Sequence, residues 1–136
     1  MTISCVSQDV ASRVIATAID AADSIGVPMC FSIVDVAGYT TTLHRMAGAG
    51  WATVDLATGK ARAAVAFGQP TSELSERWAQ ASLFTTALIS QTRGSMVPAP
   101  GGVLIMQEGE VVGALGASGG TGAQDASVVT TAASVA

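Results

Sequence analysis

The sequence of 136 residues has few charged residues, few aromatic residues and only two cysteines, and these shortages exclude several classes of protein. Charged residues make up 12% of the chain and aromatic residues 4%, whereas 49% are hydrophobic. The six cationic residues are scattered and the net charge is −4, which argues against nucleic-acid binding because phosphate neutralisation dominates that affinity. No stretch approaches the ~20 apolar residues of a membrane span. We therefore expect a protein that binds neither nucleic acid nor membrane.

The two cysteines, Cys5 and Cys30, lie outside any CxxC or other metal-type spacing, so we expect two free thiols and no metal site. The N-terminus lacks the basic segment and apolar run of a signal peptide, which favours a cytoplasmic location. The length fits a single domain over residues 1–136. Because so few side chains are charged, we expect part of the apolar surface to become the interface of a homo-oligomer.

Hydrophobic periodicity predicts helices alternating with two hairpins. Apolar residues recur at spacings of three and four between Ala11 and Ile25, which predicts a first helix with Ser7 as its N-cap. The predicted strands are 29–36 and 39–45, then 103–107 and 111–117, each pair joined by a short turn. Hairpins that lack crossover helices indicate an α+β fold with an antiparallel sheet rather than a parallel one.

Three further helices complete the predicted order. They are expected at 52–67, at 71–89 with a possible break in its middle, and at 125–135. Gly59 falls inside the first of these helices, where glycine lowers helix stability by about 1 kcal/mol relative to alanine. We expect Gly59 to mark the close approach of another backbone.

Five motifs follow one another from about residue 10 to the end of the chain. They are IVDVAG at Ile33 to Gly38, RMAGA at Arg45 to Ala49, ATGKA at Ala57 to Ala61, Pro100-Gly101-Gly102, and GEVVGALGASGG at Gly109 to Gly120 with Gln124-Asp125 after it. In composition and spacing they resemble the GlcG/HbpS family, which includes the C-terminal domain of PduO-type proteins.

The resemblance implies a profilin-like α+β fold, in which helices flank a five-stranded antiparallel sheet, and assembly into dimers or larger oligomers. It also implies a small-molecule ligand, with haem or another tetrapyrrole as the candidate, because some members of the family bind haem. One position departs from the family pattern: Ala47 stands where the family has the aspartate of R-M-D-G-A. A carboxylate that would pair with Arg45 or touch a ligand is therefore missing.

His44 is the single histidine, which makes it the first candidate for a haem ligand or a proton-transferring base. Alternation along the predicted strand places His44 and Arg45 on opposite faces. One imidazole cannot supply both axial ligands within one chain. The candidate partners are a second subunit, Met46, Met96 and Cys30. The alternative is a histidine that simply lies at the surface of an edge strand.

The charged candidates each allow two interpretations. Arg45 could bind a ligand carboxylate through two hydrogen bonds, or form an ion pair with Asp35 or Asp125. Asp35 itself lies in a family motif and is a candidate ligand-binding residue. Asp125 either begins a helix by accepting hydrogen bonds from free N–H groups or acts as a general base. Lys60 either binds an anion from its helix or lies on a solvated face.

Two glycine-rich segments offer backbone amides. Gly101-Gly102 and the segment from Ser118 to Gly122 have amides that could bind an anion, although turn formation explains glycine there equally well. Neither segment has the spacing of a P-loop. In the functional interpretation, Ser118 and its neighbouring amides face a ligand carboxylate or oxyanion, and Gln124 hydrogen-bonds the ligand.

Three functional hypotheses follow. The first is a small-molecule-binding protein, with haem or a tetrapyrrole as ligand. The second is a cofactor-independent isomerase, hydratase or lyase acting on a small anionic substrate such as an aromatic acid, with Arg45 as anchor and His44 or Asp125 as acid and base. The third is an accessory subunit whose glycine loops only turn the chain. The first two require the bends at Arg45 and Ser118 to lie close together.

Overall fold

The computed structural model describes residues 4–136, in which an antiparallel sheet lies between helices on both faces. The helices are α1 (Gln8–Ser24), α2 (Thr53–Phe67), α3 (Thr71–Arg77), α4 (Ser82–Gln91) and α5 (Gly122–Ala133), and the strands are β1 (Cys30–Val34), β2 (Thr40–Arg45), β3 (Gly102–Gln107) and β4 (Glu110–Ser118). The predicted α+β class and both predicted hairpins are confirmed. No described helix is long and apolar enough to cross a membrane.

The sheet has four strands within residues 4–136, in the order β2-β1-β4-β3. This is one strand fewer than the resemblance implied, because every other described segment is helix, turn or loop. The two hairpins join through β1 and β4, which pair with each other in the middle of the sheet. Strands β2 and β3 are therefore the two edges.

Helices α1 and α5 cover one face of the sheet and form the main core with it. The Ser7 hydroxyl accepts a hydrogen bond from the Val10 amide, as its predicted N-cap role requires. The buried side of α1 repeats at helical spacing and packs with α5 and with apolar residues of β1 and β4, among them Phe31 and Leu115. This face is almost entirely hydrocarbon, so its role is stability.

Helix α2 covers the other face with small side chains. Ala57 and Ala61 are fully buried, and a Cβ atom on Gly116 of β4 would overlap the carbonyl oxygen of Ala57. Gly59 behaves as predicted, because its carbonyl accepts a hydrogen bond from the Val97 amide and a Cβ atom there would lie 2.5 Å from Val97 Cγ2. Small residues thus let both the sheet and the loop before β3 approach this helix closely.

The predicted helix 71–89 is divided into α3 and α4, as the expected break allows. Trp78 ends α3, and its ring packs edge-on against Phe67 and Phe84, with ring centroids 4.8 and 4.9 Å apart. Helix α4 has no buried residue at all. The last helix begins earlier than the predicted residue 125, because Thr121 and Gln124 form a capping box.

Candidate functional site

The bends that follow β2 and β4 lie at the same end of the sheet. Cys30 of β1 pairs with Arg45 of β2 on one side and with Ser118 of β4 on the other. Directly opposed residues of neighbouring strands point to the same face of a sheet, and that face is the one that α2 covers. We call this group the Cys30 end of the sheet. The structure therefore brings together the two bends on which the functional hypotheses depend.

Cys30 is buried at the centre of this end. Burial raises the pKa of its thiol above 9.0, while a hydrogen bond with the Thr53 side chain and the positive charge of Arg45 oppose that shift. Both Cys5 and Cys30 are free thiols, as predicted. The raised pKa keeps Cys30 neutral, so it behaves as a small packing residue rather than as a nucleophile.

His44 and Arg45 are consecutive, exposed residues of the edge strand β2, which we call the β2 edge. His44 pairs with Phe31, so its side chain belongs to the face covered by α1 and α5, whereas Arg45 belongs to the α2 face. Within residues 4–136 neither side chain makes a hydrogen bond or an ion pair. The ion pair considered between Arg45 and Asp35 or Asp125 is therefore not formed, and both donors of the β2 edge are available to a ligand.

The three soft side chains considered as partners of His44 are engaged elsewhere. Met46 is half-buried, packs on the main core and accepts a hydrogen bond on its Sδ from the Met29 amide at 3.4 Å. Cys30 lies on the opposite face of the sheet from His44. Met96 is half-buried in the loop that Val97 ties to α2. The described part of the chain thus offers His44 as a free metal-binding side chain without a ready second ligand.

Lys60 of α2 and Asp125 of α5 form a buried ion pair beside β4, next to the Cys30 end of the sheet. Their residues are 5% and 2% exposed, and Lys60 Nζ donates to Asp125 Oδ2 at 2.9 Å and to the Ala117 carbonyl at 3.0 Å. Asp125 Oδ1 accepts a hydrogen bond from the Gly120 amide at 2.9 Å. The solvated position considered for Lys60 is wrong, because its side of α2 faces the sheet.

The ion pair also changes the role of Asp125. Thr121, not Asp125, is the N-cap of α5, and both oxygens of the Asp125 carboxylate already accept hydrogen bonds. A carboxylate in this state has no exposed lone pair with which to remove a proton from a substrate. Of the acid–base set in the enzymatic hypothesis, only His44 and Arg45 remain accessible.

The backbone of Gly101 and Gly102 makes hydrogen bonds inside the protein. The Gly101 carbonyl accepts a hydrogen bond from the Ala117 amide at 2.8 Å, and the Gly102 amide donates to Thr71 Oγ1 at 2.8 Å. A Cβ atom on Gly101 would lie 3.1 Å from Lys60 Cδ, and one on Gly102 would overlap the Lys60 carbonyl oxygen. Glycine is required at both positions because the Ala117 carbonyl oxygen would lie 2.8 Å from a Cβ atom on Gly101 and the Lys60 backbone lies against Gly102, and the hydrogen bond to Thr71 leaves the Gly102 amide unavailable to an anion.

The remaining predicted ligand-binding residues also support local structure. Asp35 Oδ1 accepts hydrogen bonds from the amides of Ala37 and Tyr39 and so closes the β1–β2 turn. Gln124 Oε1 accepts from the Thr121 amide in the capping box. Ser118 is buried, with its residue 6% exposed. Of the predicted site residues, the described structure leaves His44 and Arg45 exposed and unpaired.

Comparison with known proteins places these residues in a family. A family model described as haem degrading protein HbpS-like matches residues 6–134, which is nearly the whole chain. The chain belongs to the HbpS-like family. The resemblance seen in the five motifs is confirmed.

Two known proteins are similar to this one over most of the chain. A 15.0 kDa protein from the dhaT–dhaS intergenic region of Citrobacter freundii is 37% identical over 124 residues, which are 90% of this chain and 86% of that protein. A crystal structure of a PduOC–haem complex has a TM-score of 0.87 and 33% identity, and the alignment covers 97% of this chain and 95% of that one.

The corrinoid adenosyltransferase PduO of Salmonella typhimurium is 36% identical over 115 residues, which are 85% of this chain but 34% of that enzyme. The chain thus spans about a third of the adenosyltransferase.

Proposed function

We propose that this HbpS-like protein binds haem at the β2 edge, with His44 as the ligand of the iron. The observation that carries the proposal is the similarity to the PduOC–haem complex, at 33% identity over 97% of this chain. When bound, haem would supply an iron centre for redox or small-ligand chemistry. The residues of this chain determine how it is held.

The residues at the β2 edge fit this group in two respects. His44 is exposed and its ring has no partner within residues 4–136, so a nitrogen is available for iron. Arg45 is the next residue and is equally free; it projects from the opposite face of the edge strand, so its long side chain would reach a haem propionate around the free edge of the sheet and pair with it through two parallel hydrogen bonds.

A second copy of the chain would complete this site, so we also propose that the protein is a homo-oligomer. A haem bound to an exposed edge strand would remain largely in water if the chain were alone, whereas apolar ligands are normally enclosed. Helix α4 supports the assembly because it exposes Leu83, Phe84 and Ile89 without burying any residue. Light scattering should give the mass of at least a dimer, and a monomer at micromolar concentration would contradict this part of the proposal.

The decisive experiment is a hemin titration of the purified chain, followed through the Soret band. The wild-type protein should shift and sharpen the band to saturation, and His44→Ala should lose that change. Arg45→Ala should bind about tenfold more weakly, which corresponds to one lost charge-assisted contact. The matched control is Met106→Leu, which removes an exposed sulfur from β3 at the opposite edge of the sheet and should bind as the wild type does.

Two results would overturn the proposal. Absence of any Soret change in the wild-type protein at micromolar hemin would exclude haem as the ligand. An unchanged band in His44→Ala would exclude His44 as the iron ligand and with it the β2 edge as the site.

A further inference from the structure

A second group of free charges lines a cavity between α2 and the turn that follows α4. The cavity has a volume of about 300 Å³, and its lining residues are Asp55, Thr58, Gly59, Arg62, Arg93, Gly94 and Ser95. Arg62 and Arg93 are two of the six cationic residues of the chain, and they come from elements 31 positions apart in sequence. None of the motifs that resemble the family accounts for this pairing of arginines.

The cavity has a fixed wall on the α2 side. Asp55, Gly59 and Arg62 follow each other at spacings of four and three, which places them along one face of the helix. The opposite wall is held there because the Val97 amide donates to the Gly59 carbonyl at 2.9 Å, and the absence of a side chain at Gly59 permits that approach. The two arginines therefore line the cavity from opposite walls whose separation is set by this contact.

The guanidinium groups in this cavity have unused donors. Arg62 Nη1 donates to the Gly38 carbonyl at 2.9 Å, but its Nε is buried and, within residues 4–136, has no hydrogen-bond partner. The Arg93 side chain makes no hydrogen bond or ion pair in the same part of the chain, and Asp55 pairs with neither arginine. The Arg62 Nε is closed to a ligand in the cavity because it is buried, so the available donors are those of Arg62 Nη2, which makes no hydrogen bond within residues 4–136, and of the Arg93 guanidinium.

We propose that this Arg62–Arg93 cavity binds a small oxyanion, either a carboxylate or a phosphate. Guanidinium groups present planar pairs of donors that match the oxygens of both groups, and the hydroxyl of Ser95 adds a further donor at the rim. Asp55 limits the charge that the cavity accepts, because its carboxylate repels a second negative group. The inference does not depend on haem binding, since none of these residues belongs to the β2 edge.

The test is calorimetric titration of the 136-residue chain with malonate and, separately, with inorganic phosphate at constant ionic strength. Arg93→Gln should weaken binding about tenfold, as expected for one lost charge-assisted contact. The matched control is Arg77→Gln, which removes the same charge from the exposed end of α3 and should change the affinity by less than about twofold. Asp55→Asn should have the opposite sign and tighten binding, because it removes the repelling carboxylate.

The two probes separate the two sources of the oxyanion. Saturable binding of malonate alone would identify a carboxylate ligand, and saturable binding of phosphate alone a phosphate ligand; either supports the proposal. Failure of both probes to saturate the wild-type protein would overturn it. Equal weakening in Arg93→Gln and Arg77→Gln would also overturn it, because the attraction would then come from overall charge.

Discussion

The Lys60–Asp125 pair and the β2 edge both consist of charged or hydrogen-bonding side chains. These are buried and paired in the first region, and exposed and unpaired in the second. Lys60 and Asp125 are buried, and their charged atoms are bonded to each other and to the backbone. His44 and Arg45 are exposed and, within residues 4–136, have no polar partner. A polar side chain whose hydrogen bonds are all made inside the protein stabilises the fold, whereas one without partners is available to bind something else.

The predicted site residues thus fall into two groups according to whether their side chains have hydrogen-bond partners inside the protein, and residue type does not separate the groups. The buried pair is surrounded by Gly101, Gly102 and Gly120, whose backbones approach it because they have no side chains. The β2 edge has no such enclosure. The two motifs therefore have different roles. The motif that contains Lys60 packs α2 on the sheet, whereas the motif that contains Arg45 is the one proposed to bind the ligand.

The largest expected effect is the loss of one partner of the buried pair. Lys60→Met should lower the free energy of unfolding by about 3–5 kcal/mol, because it leaves the Asp125 carboxylate buried without a counter-charge. Urea denaturation followed by circular dichroism measures this change. If the protein does not fold well enough for a baseline, the yield of folded protein relative to the wild type serves as the readout.

A double variant tests whether the penalty comes from the unpaired charge. Lys60→Met combined with Asp125→Leu should recover much of the lost stability, because apolar residues of similar size can replace a buried ion pair at little cost. Equal stability of Lys60→Met and the wild-type protein would show that the pair is dispensable. The contrast between the two regions would then fail.

The next effect concerns the glycines that make room for the pair. Gly102→Ala should lower the free energy of unfolding by about 1–3 kcal/mol, because the new Cβ atom would meet the Lys60 carbonyl oxygen, which is backbone and cannot rotate away. Gly50→Ala is the matched control, since a Cβ atom at Gly50 has no neighbour within 4 Å. Equal stability of the two variants in the same urea experiment would contradict the close packing.

The sequence predicted the secondary structure well because local signals determine it. The spacing of apolar residues, the Ser7 cap and the turns at Ala37-Gly38 and Glu108-Gly109 all act within a few residues of one another. The face assignment of His44 and Arg45 follows from strand alternation for the same reason. The break between α3 and α4 agrees with the interruption predicted in the middle of 71–89, and the structure places it at Trp78.

The partners of Lys60 could not be predicted in this way. Lys60 and Asp125 are 65 residues apart, and their contact depends on how α2 and α5 meet at the end of the sheet. One signal was present in the sequence: Lys60 lies between the small residues Gly59 and Ala61, on the side of α2 that is otherwise alanine-rich. A charge on a helix face that packs closely requires a buried counter-charge, and Asp125 provides it.

The β2 edge should show the opposite behaviour from the buried pair. His44→Ala and Arg45→Ala should each change the free energy of unfolding by no more than about 0.5 kcal/mol, because exposed side chains without partners contribute little to stability. Urea denaturation in the absence of hemin measures this. A loss comparable with that of Lys60→Met would mean that the β2 edge supports the fold, and the division between the two regions would not hold.

An effect on reaction rate rather than on stability is expected at Cys30, which lies between the two regions and is paired with both Arg45 and Ser118. Because burial raises the pKa of this thiol, less of it is thiolate at pH 8 than in an exposed cysteine. Iodoacetamide should therefore modify Cys30 about tenfold more slowly than the exposed Cys5, since reaction also requires the structure to open. The rates can be followed by mass spectrometry of each peptide, with the urea-unfolded protein as the control in which both thiols react alike. Equal rates in the folded protein would show that the Cys30 end is open to solvent, and the buried region would then be confined to the Lys60–Asp125 pair and its glycines.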